Sequence, residues 1–178
     1  MKTIAAVLLI TWTALGAEPA PGVASLVNGQ ISIIEGELVP LAQAMPADKY
    51  NFRPTGGEFK TVRSFAEQAK HVAAVNYICA GAVLEQKPPA ETNNEKGPDS
   101  VATKEQIVQY LKDSYAYVHK AASALTEKSQ LDQVPSPFGQ GKMVRGAAAL
   151  CPSWHGFDHY GQMVVYARMN GIVPPASR

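Results

Sequence analysis

Apolar residues recur at alternating intervals of four and three along this chain, and that period constrains its fold more than any other feature. It marks four segments: 23–45, 64 to the Lys87-Pro88-Pro89 break, 103 to about 125, and 142–170. In the first segment the stripe consists of Val27, Ile31, Ile34, Leu38, Leu41 and Met45. Residues with this spacing lie on one face of a helix. No strand pattern of useful length appears, so the sequence predicts an all-α protein.

Helix-capping patterns mark where two of these segments begin. Ser64 with Glu67, and Thr103 with Gln106, have the spacing of a capping box. The stretch 87–100 is rich in Pro, Asn and Glu and indicates a long crossover loop, and 129–141 indicates a second loop. Four helices with one long connection predict a four-helix bundle.

The first sixteen residues have the pattern of a secretory signal peptide. A basic residue is followed by a short apolar run, and Ala14-Leu15-Gly16 supplies small residues for cleavage. This apolar run is too short to span a bilayer, which requires about 20 residues. We therefore expect a signal peptide at 1–16, a mature domain at 17–178 and an exported protein, periplasmic or secreted, without stable membrane insertion. A membrane anchor or a buried first helix is the alternative.

Composition and charge narrow the class of protein. The chain has 178 residues, of which 46% are hydrophobic and 17% charged, as expected for a single globular domain. Its formal net charge of +1 gives no basic surface excess, so we expect no nucleic-acid partner.

Two histidines in the last predicted helix carry the strongest chemical signal. His155 and His159 are four residues apart, so their imidazoles project from the same helical face. That face continues into apolar positions, which predicts that both rings point into the bundle. Buried imidazoles need partners, either hydrogen bonds in the core or a shared metal ion. His71, beside the buried stripe of the second helix, would supply a third nitrogen and leave open coordination positions.

Several ordered motifs give the chain a family resemblance over nearly its whole predicted mature length. They are Arg53-Pro54, Arg63-Ser64-x6-His71, His155-x3-His159-Tyr-Gly-Gln162, Tyr166-x-Arg168 and the late Gly-Ile-Val-Pro-Pro. With these motifs the sequence resembles the DinB/YfiT superfamily. The resemblance implies an up-down-down-up four-helix bundle with one metal ion held by His71, His155 and His159.

The same resemblance implies a metal-dependent reaction on a small molecule. Better-understood branches of the family are thiol-dependent S-transferases and isomerases, and metal-assisted hydrolysis is the other reaction that such a site supports. A nitrogen-only ligand set favours zinc or nickel as the divalent ion. A non-catalytic exported module that binds a metal or ligand is the alternative. The sequence leaves open whether the protein forms a homodimer.

Three polar residues near the histidines are candidates for supporting roles. Asp158 stands where the family often has a histidine, and it either orients an imidazole or is merely solvated. Gln162 lies one turn beyond His159 and is expected to contact the metal site or a neighbouring helix. Glu67 is a weak candidate for a general base, because its capping role explains it without chemistry.

The two cysteines of the chain form a candidate disulfide. If the second and fourth helices are antiparallel, as the resemblance implies, Cys79 and Cys151 reach the same level of the bundle. An oxidising compartment permits a bridge between them. Two buried free thiols are the alternative.

Overall fold

The computed structural model describes residues 21–178, and the predicted signal peptide at 1–16 lies outside them. Four long helices make up this part of the chain: α1 (Val23–Ala44), α2 (Phe65–Leu84), α3 (Lys104–Ser123) and α4 (Arg145–Met169). The predicted all-α, four-helix fold is confirmed. Short 3-10 turns occupy Ala47–Lys49, Ser129–Leu131 and Pro175–Ser177.

Both predicted capping boxes are present. The Ser64 hydroxyl accepts a hydrogen bond from the Glu67 backbone, and the Glu67 carboxylate accepts one of 2.7 Å from the Ser64 backbone. Thr103 and Gln106 repeat the arrangement at the start of α3. These bonds satisfy backbone N–H groups that a helix start leaves unpaired, which explains why α2 and α3 begin where they do.

Side-chain pairs between helices fix their directions. Gln68 meets Gln162 and Cys79 meets Cys151, so α2 and α4 are antiparallel. Lys104 bonds to the backbone near the end of α1. At the other end of the same pair, Asn28 bonds to Ser123, so α1 and α3 are antiparallel as well. Each of α1 and α2 packs on both α3 and α4. This arrangement agrees with the expected bundle, in which residues 85–103 form the crossover.

The segment before α4 differs from the prediction. Residues Gln133–Pro135 (β1) and Lys142–Val144 (β2) pair as a small antiparallel ribbon, where we predicted a loop and the start of the last helix. The helix begins only at Arg145, whose backbone N–H donates to the Asp132 carbonyl. Three-residue strands are too short to show a sequence period, and fully buried Val134 anchors the ribbon instead.

The core runs through the centre of the bundle in two large apolar clusters, and a third, small cluster joins Val75, Cys79 and Cys151. The larger joins all four helices and includes Ile34, Leu38, Leu111 and Tyr115. The smaller packs Leu41, Phe65, Ile107 and Met163 at the end of the bundle where α2 begins. Of the helices within residues 21–178, none combines the length and the apolar character needed to cross a membrane.

Candidate metal centre

The three predicted ligands converge between α2 and α4. Nε2 of His155 lies 3.1 Å from Nε2 of His71 and 3.1 Å from Nε2 of His159. One ring nitrogen from each residue lies within 4.8 Å of the other two, and the cluster could hold a metal ion. The antiparallel packing brings this about, because it places the middle of α4 opposite the first turns of α2. The remaining histidine, His119, is elsewhere, between α1 and α3.

The crossover loop orients His71. Nδ1 of His71 is 2.8 Å from the backbone carbonyl of Glu95. A carbonyl can only accept, so Nδ1 carries the proton and Nε2 of the neutral ring presents a lone pair to the centre. Glu95 has a positive φ of 66°, as do Asn93 and Asn94 before it at 45° and 47°. These unusual conformations turn the loop so that a backbone oxygen faces His71.

A relay of three polar side chains orients His159. Its Nδ1 donates to Oε1 of Gln68, whose amide nitrogen donates to Oε1 of Gln162 at 2.8 Å. The amide nitrogen of Gln162 in turn lies 3.4 Å from a carboxylate oxygen of Asp158. Asp158 is exposed and reaches His159 only through the two amides. The relay leaves Nε2 of His159 free as a lone pair.

His155 lacks such a partner. Its Nδ1 is buried and has no hydrogen bond to any of the described residues. A proton on Nε2 could be donated to only one of the two lone pairs that face it. A proton on Nδ1 would leave three lone pairs pointing at one another. Either tautomer of the metal-free protein therefore leaves a buried polar atom unsatisfied.

A divalent ion fits this arrangement. Nitrogens bound at about 2.0–2.1 Å are about 3.4 Å apart around a tetrahedral ion and about 3.0 Å apart around an octahedral one. The two separations of 3.1 Å from His155 lie between these values, and the nitrogens of His71 and His159 lie within 4.8 Å of each other. Three neutral nitrogens on one side of an ion leave its other positions open.

Electrostatics keep the imidazoles neutral. Burial, followed by the neighbouring histidines, lowers the pKa of His155 to about 3. Burial also lowers the pKa of His159, to about 4, and that of His71. The positive charge of Arg63 acts in the same direction on all three. Neutral imidazoles are the form that binds a metal ion.

The carboxylate of Glu67 is engaged by Arg53 and Ser64. It accepts hydrogen bonds of 2.6 and 2.7 Å from Arg53 and closes the capping box with Ser64. Partial burial acts to raise the pKa of Glu67, but the hydrogen bonds from Arg53 and Ser64 outweigh it and the pKa is lowered. The described contacts give this carboxylate a structural role.

The two cysteines meet in the layer of the bundle next to the histidines. Both are fully buried, and their sulfur atoms are 2.8 Å apart. Burial raises the pKa of the Cys79 thiol well above its ordinary value, which disfavours a nucleophilic thiolate. The two thiols are free in this structure, side by side at the same level of the bundle, and the disulfide stays a prediction.

Sequence reasoning missed two participants. The sequence analysis assigns no role to Gln68, although its position three residues before His71 on an inward face could have indicated a contact with the centre. The Glu95 carbonyl gives no side-chain signal, since any residue supplies a backbone oxygen.

The sequence shows the family of this chain. A family model of the DinB superfamily matches residues 30–163. No curated protein matches the chain.

Solved structures of bacterial proteins share the fold. A DinB-like protein from Bacillus subtilis is 18% identical, with a TM-score of 0.63 over 82% of this chain and 92% of its own. One from Bacillus cereus is 15% identical, with a TM-score of 0.68 over 84% and 93%. A conserved protein from Enterococcus faecalis is 18% identical, with a TM-score of 0.66 over 84% and 98%. The chain belongs to the DinB superfamily.

Proposed function

We propose that this protein is an exported member of the DinB superfamily that binds one divalent ion, zinc or nickel, through His71, His155 and His159. The observation that carries the proposal is the convergence of three Nε2 atoms, two of them with their lone pairs fixed by hydrogen bonds from the opposite ring nitrogen. Fixed tautomers reduce the reorganisation that metal binding requires.

The ligand set supports a metal-dependent reaction on a small molecule. Three neutral ligands leave the charge of a bound divalent ion uncompensated, so that it would lower the pKa of a water or thiol at an open position. His155 is the most exposed of the three, and neighbouring Trp154 is 56% exposed. We infer that substrate approaches from this side.

The surroundings of the centre favour one of the two reaction classes. Hydrolysis usually requires a carboxylate or imidazole that takes a proton from water. Among the described residues Glu67 is held by Arg53 and Ser64, and Asp158 reaches the centre only through two amides. Thiol group transfer makes a smaller demand on a base, because a thiol is the stronger acid. This favours an S-transferase over a hydrolase as the activity.

A non-catalytic metal-binding module is the second candidate. It is favoured by the burial of His71 and His159, which are 5% and 6% exposed and offer a substrate little surface of their own. The two candidates predict the same metal content and differ only in turnover.

A substrate screen separates these candidates. Zinc- and nickel-loaded protein is incubated with thiol-conjugation, ester, amide and phosphoester substrates beside chelator-treated protein and the His155→Ala variant. Metal-dependent turnover that is lost in His155→Ala supports the enzyme. Equal residual rates in all samples on every substrate refute it and leave the binding module.

Export rests on residues 1–16 and has its own test. Expression of the full chain should give a mature protein that begins at Ala17 in the exported fraction, as read by mass spectrometry of the intact protein. Retention of Met1 in a cell-associated product would contradict the proposal.

A further inference from the structure

A cleft of about 510 Å³ lies beside the first turns of α2. Its lining is strongly cationic, with five basic side chains: Arg53, Lys60, Arg63, Lys70 and Lys96. Two acidic residues, Glu67 and Asp99, also line it. The lining therefore has an excess of three positive charges in a chain whose formal net charge is only +1.

Most of these cations have no counter-charge. Arg53 is neutralised by Glu67, at 2.6 Å. Within residues 21–178, Lys60, Arg63, Lys70 and Lys96 form no ion pair within 4.0 Å. Like charges gathered around one cavity repel one another, and an anion placed among them would relieve that repulsion.

The walls of the cleft are held in place by packing. Gly97 has a positive φ of 71°, and a Cβ at this position would lie 3.2 Å from the Tyr110 ring and 3.3 Å from the Lys70 side chain. This close approach fixes the loop that carries Lys96 and Asp99 against α2. On the other wall, the backbone N–H groups of Phe65 and Ala66 donate to residues 52 and 50 and tie down the segment that leads to Arg53.

The cleft adjoins the histidine centre through three connections. Lys70 precedes His71 in α2, and Lys96 follows Glu95, whose carbonyl accepts from His71. Arg63 lines the cleft, and its charge also acts on all three imidazoles.

We propose that this cleft binds the oxyanion group, a phosphate or a carboxylate, of a small-molecule ligand, with Arg63 and Lys96 as its principal contacts. Arg63 can offer a planar pair of N–H donors to two oxygens, and the lysines add point charges. That the same molecule places its reactive end at the metal rests on the proposed function. The binding of an anion in the cleft does not depend on the proposed function.

Binding of defined anions to metal-free protein tests the cleft. Phenyl phosphate and succinate are titrated calorimetrically into chelator-treated full-length protein, wild type and variant, in low and in high salt. We expect saturable one-to-one binding that weakens with salt, and the preferred probe distinguishes a phosphate from a carboxylate ligand. Arg63→Gln and Lys96→Gln should each weaken it about two- to fivefold, as for exposed charge pairs, and the double variant about tenfold or more.

The matched control is Lys128→Gln, which removes an exposed lysine that lies after the end of α3, far along the chain from the cleft. It should bind both probes like wild type. No saturable binding, or an equal loss in Lys128→Gln, would overturn the proposal. Circular dichroism checks that the variants fold.

A second measurement separates this inference from the proposed function. The His155→Ala/His159→Ala variant should lose the metal ion and keep anion binding. In cobalt-loaded wild type, the ³¹P nucleus of bound phenyl phosphate should relax faster than in zinc-loaded protein, and this effect should weaken in Arg63→Gln/Lys96→Gln. Relaxation that is unchanged by that double variant would place the anion on the metal and contradict the cleft.

Discussion

Replacement of Gln68 by methionine should weaken metal binding without removing any ligand. Gln68 is 2% exposed, accepts from Nδ1 of His159 and donates to Gln162 at 2.8 Å. Methionine preserves its volume and apolar contacts but leaves the buried N–H of His159 without an acceptor. The unpaired group costs about 1–3 kcal/mol of folding free energy in the metal-free protein.

The affinity for zinc should also fall, by about 10–100-fold, because the His159 tautomer is no longer fixed. That loss corresponds to about 1.4–2.7 kcal/mol of binding free energy. Competition with a chromogenic chelator measures the affinity, and urea denaturation of the metal-free protein measures the stability.

Three further variants make this test specific. Gln68→Glu retains an acceptor for His159 and should retain the affinity. Gln162→Met removes only the far end of the relay and should cost less than Gln68→Met. Gln109→Met alters an exposed glutamine of α3 that bonds to Asp113, and it should have no effect on zinc. Wild-type zinc affinity in Gln68→Met would refute the role assigned to the relay.

The remaining predictions concern acid, packing and oxidation. Because the pKa values of the clustered imidazoles lie below 6.5, at about 3 and about 4 for two of them, the unfolded chain binds more protons in acid. The urea midpoint of metal-free protein should therefore fall as pH drops below about 6.5, and an unchanged midpoint between pH 7.5 and 5 would contradict this. Gly156→Ala would place a Cβ 2.7 Å from Ile34 and should destabilise the protein by about 1–3 kcal/mol. Gly161→Ala meets nothing within 4 Å and should stabilise α4 by about 0.5–1 kcal/mol, and thermal denaturation that ranks the two the other way would be contrary. Cys79 and Cys151, 72 residues apart, should resist alkylation in denatured, unreduced protein, and the bridge should add about 4 kcal/mol. Two alkylated thiols would show that the bridge is absent.

Much of the fold could be predicted because its helices have long, regular apolar stripes and clear caps. Two such signals are the stripe from Val27 to Met45 and the capping box at Ser64 and Glu67. Each reflects a local preference for helix that agrees with the final bundle. The ribbon at 133–135 and 142–144 is held by pairing between two distant short segments, and such pairing leaves no local period. The start of α4 was misplaced for the same reason.

The candidate site, too, could be predicted only in part. His155 and His159 could be paired from their spacing alone, and His71 could be added from its place beside the buried stripe of the second helix and from the family resemblance. The relay through Gln68 depends on the register between α2 and α4, which the spacing within one helix does not determine. The Glu95 carbonyl depends on the backbone path of a loop with three consecutive positive φ values, and that path is a property of the fold.

The metal content of purified protein tests the central claim most directly. Protein prepared without chelator and analysed by mass spectrometry for metals should contain about one divalent ion per chain, and we expect that ion to be zinc or nickel. His155→Ala/His159→Ala should contain none, and His71→Ala should retain little after dialysis. Stoichiometric metal in the double variant, or no binding by wild type after loading with either ion, would contradict a metal centre at the three histidines.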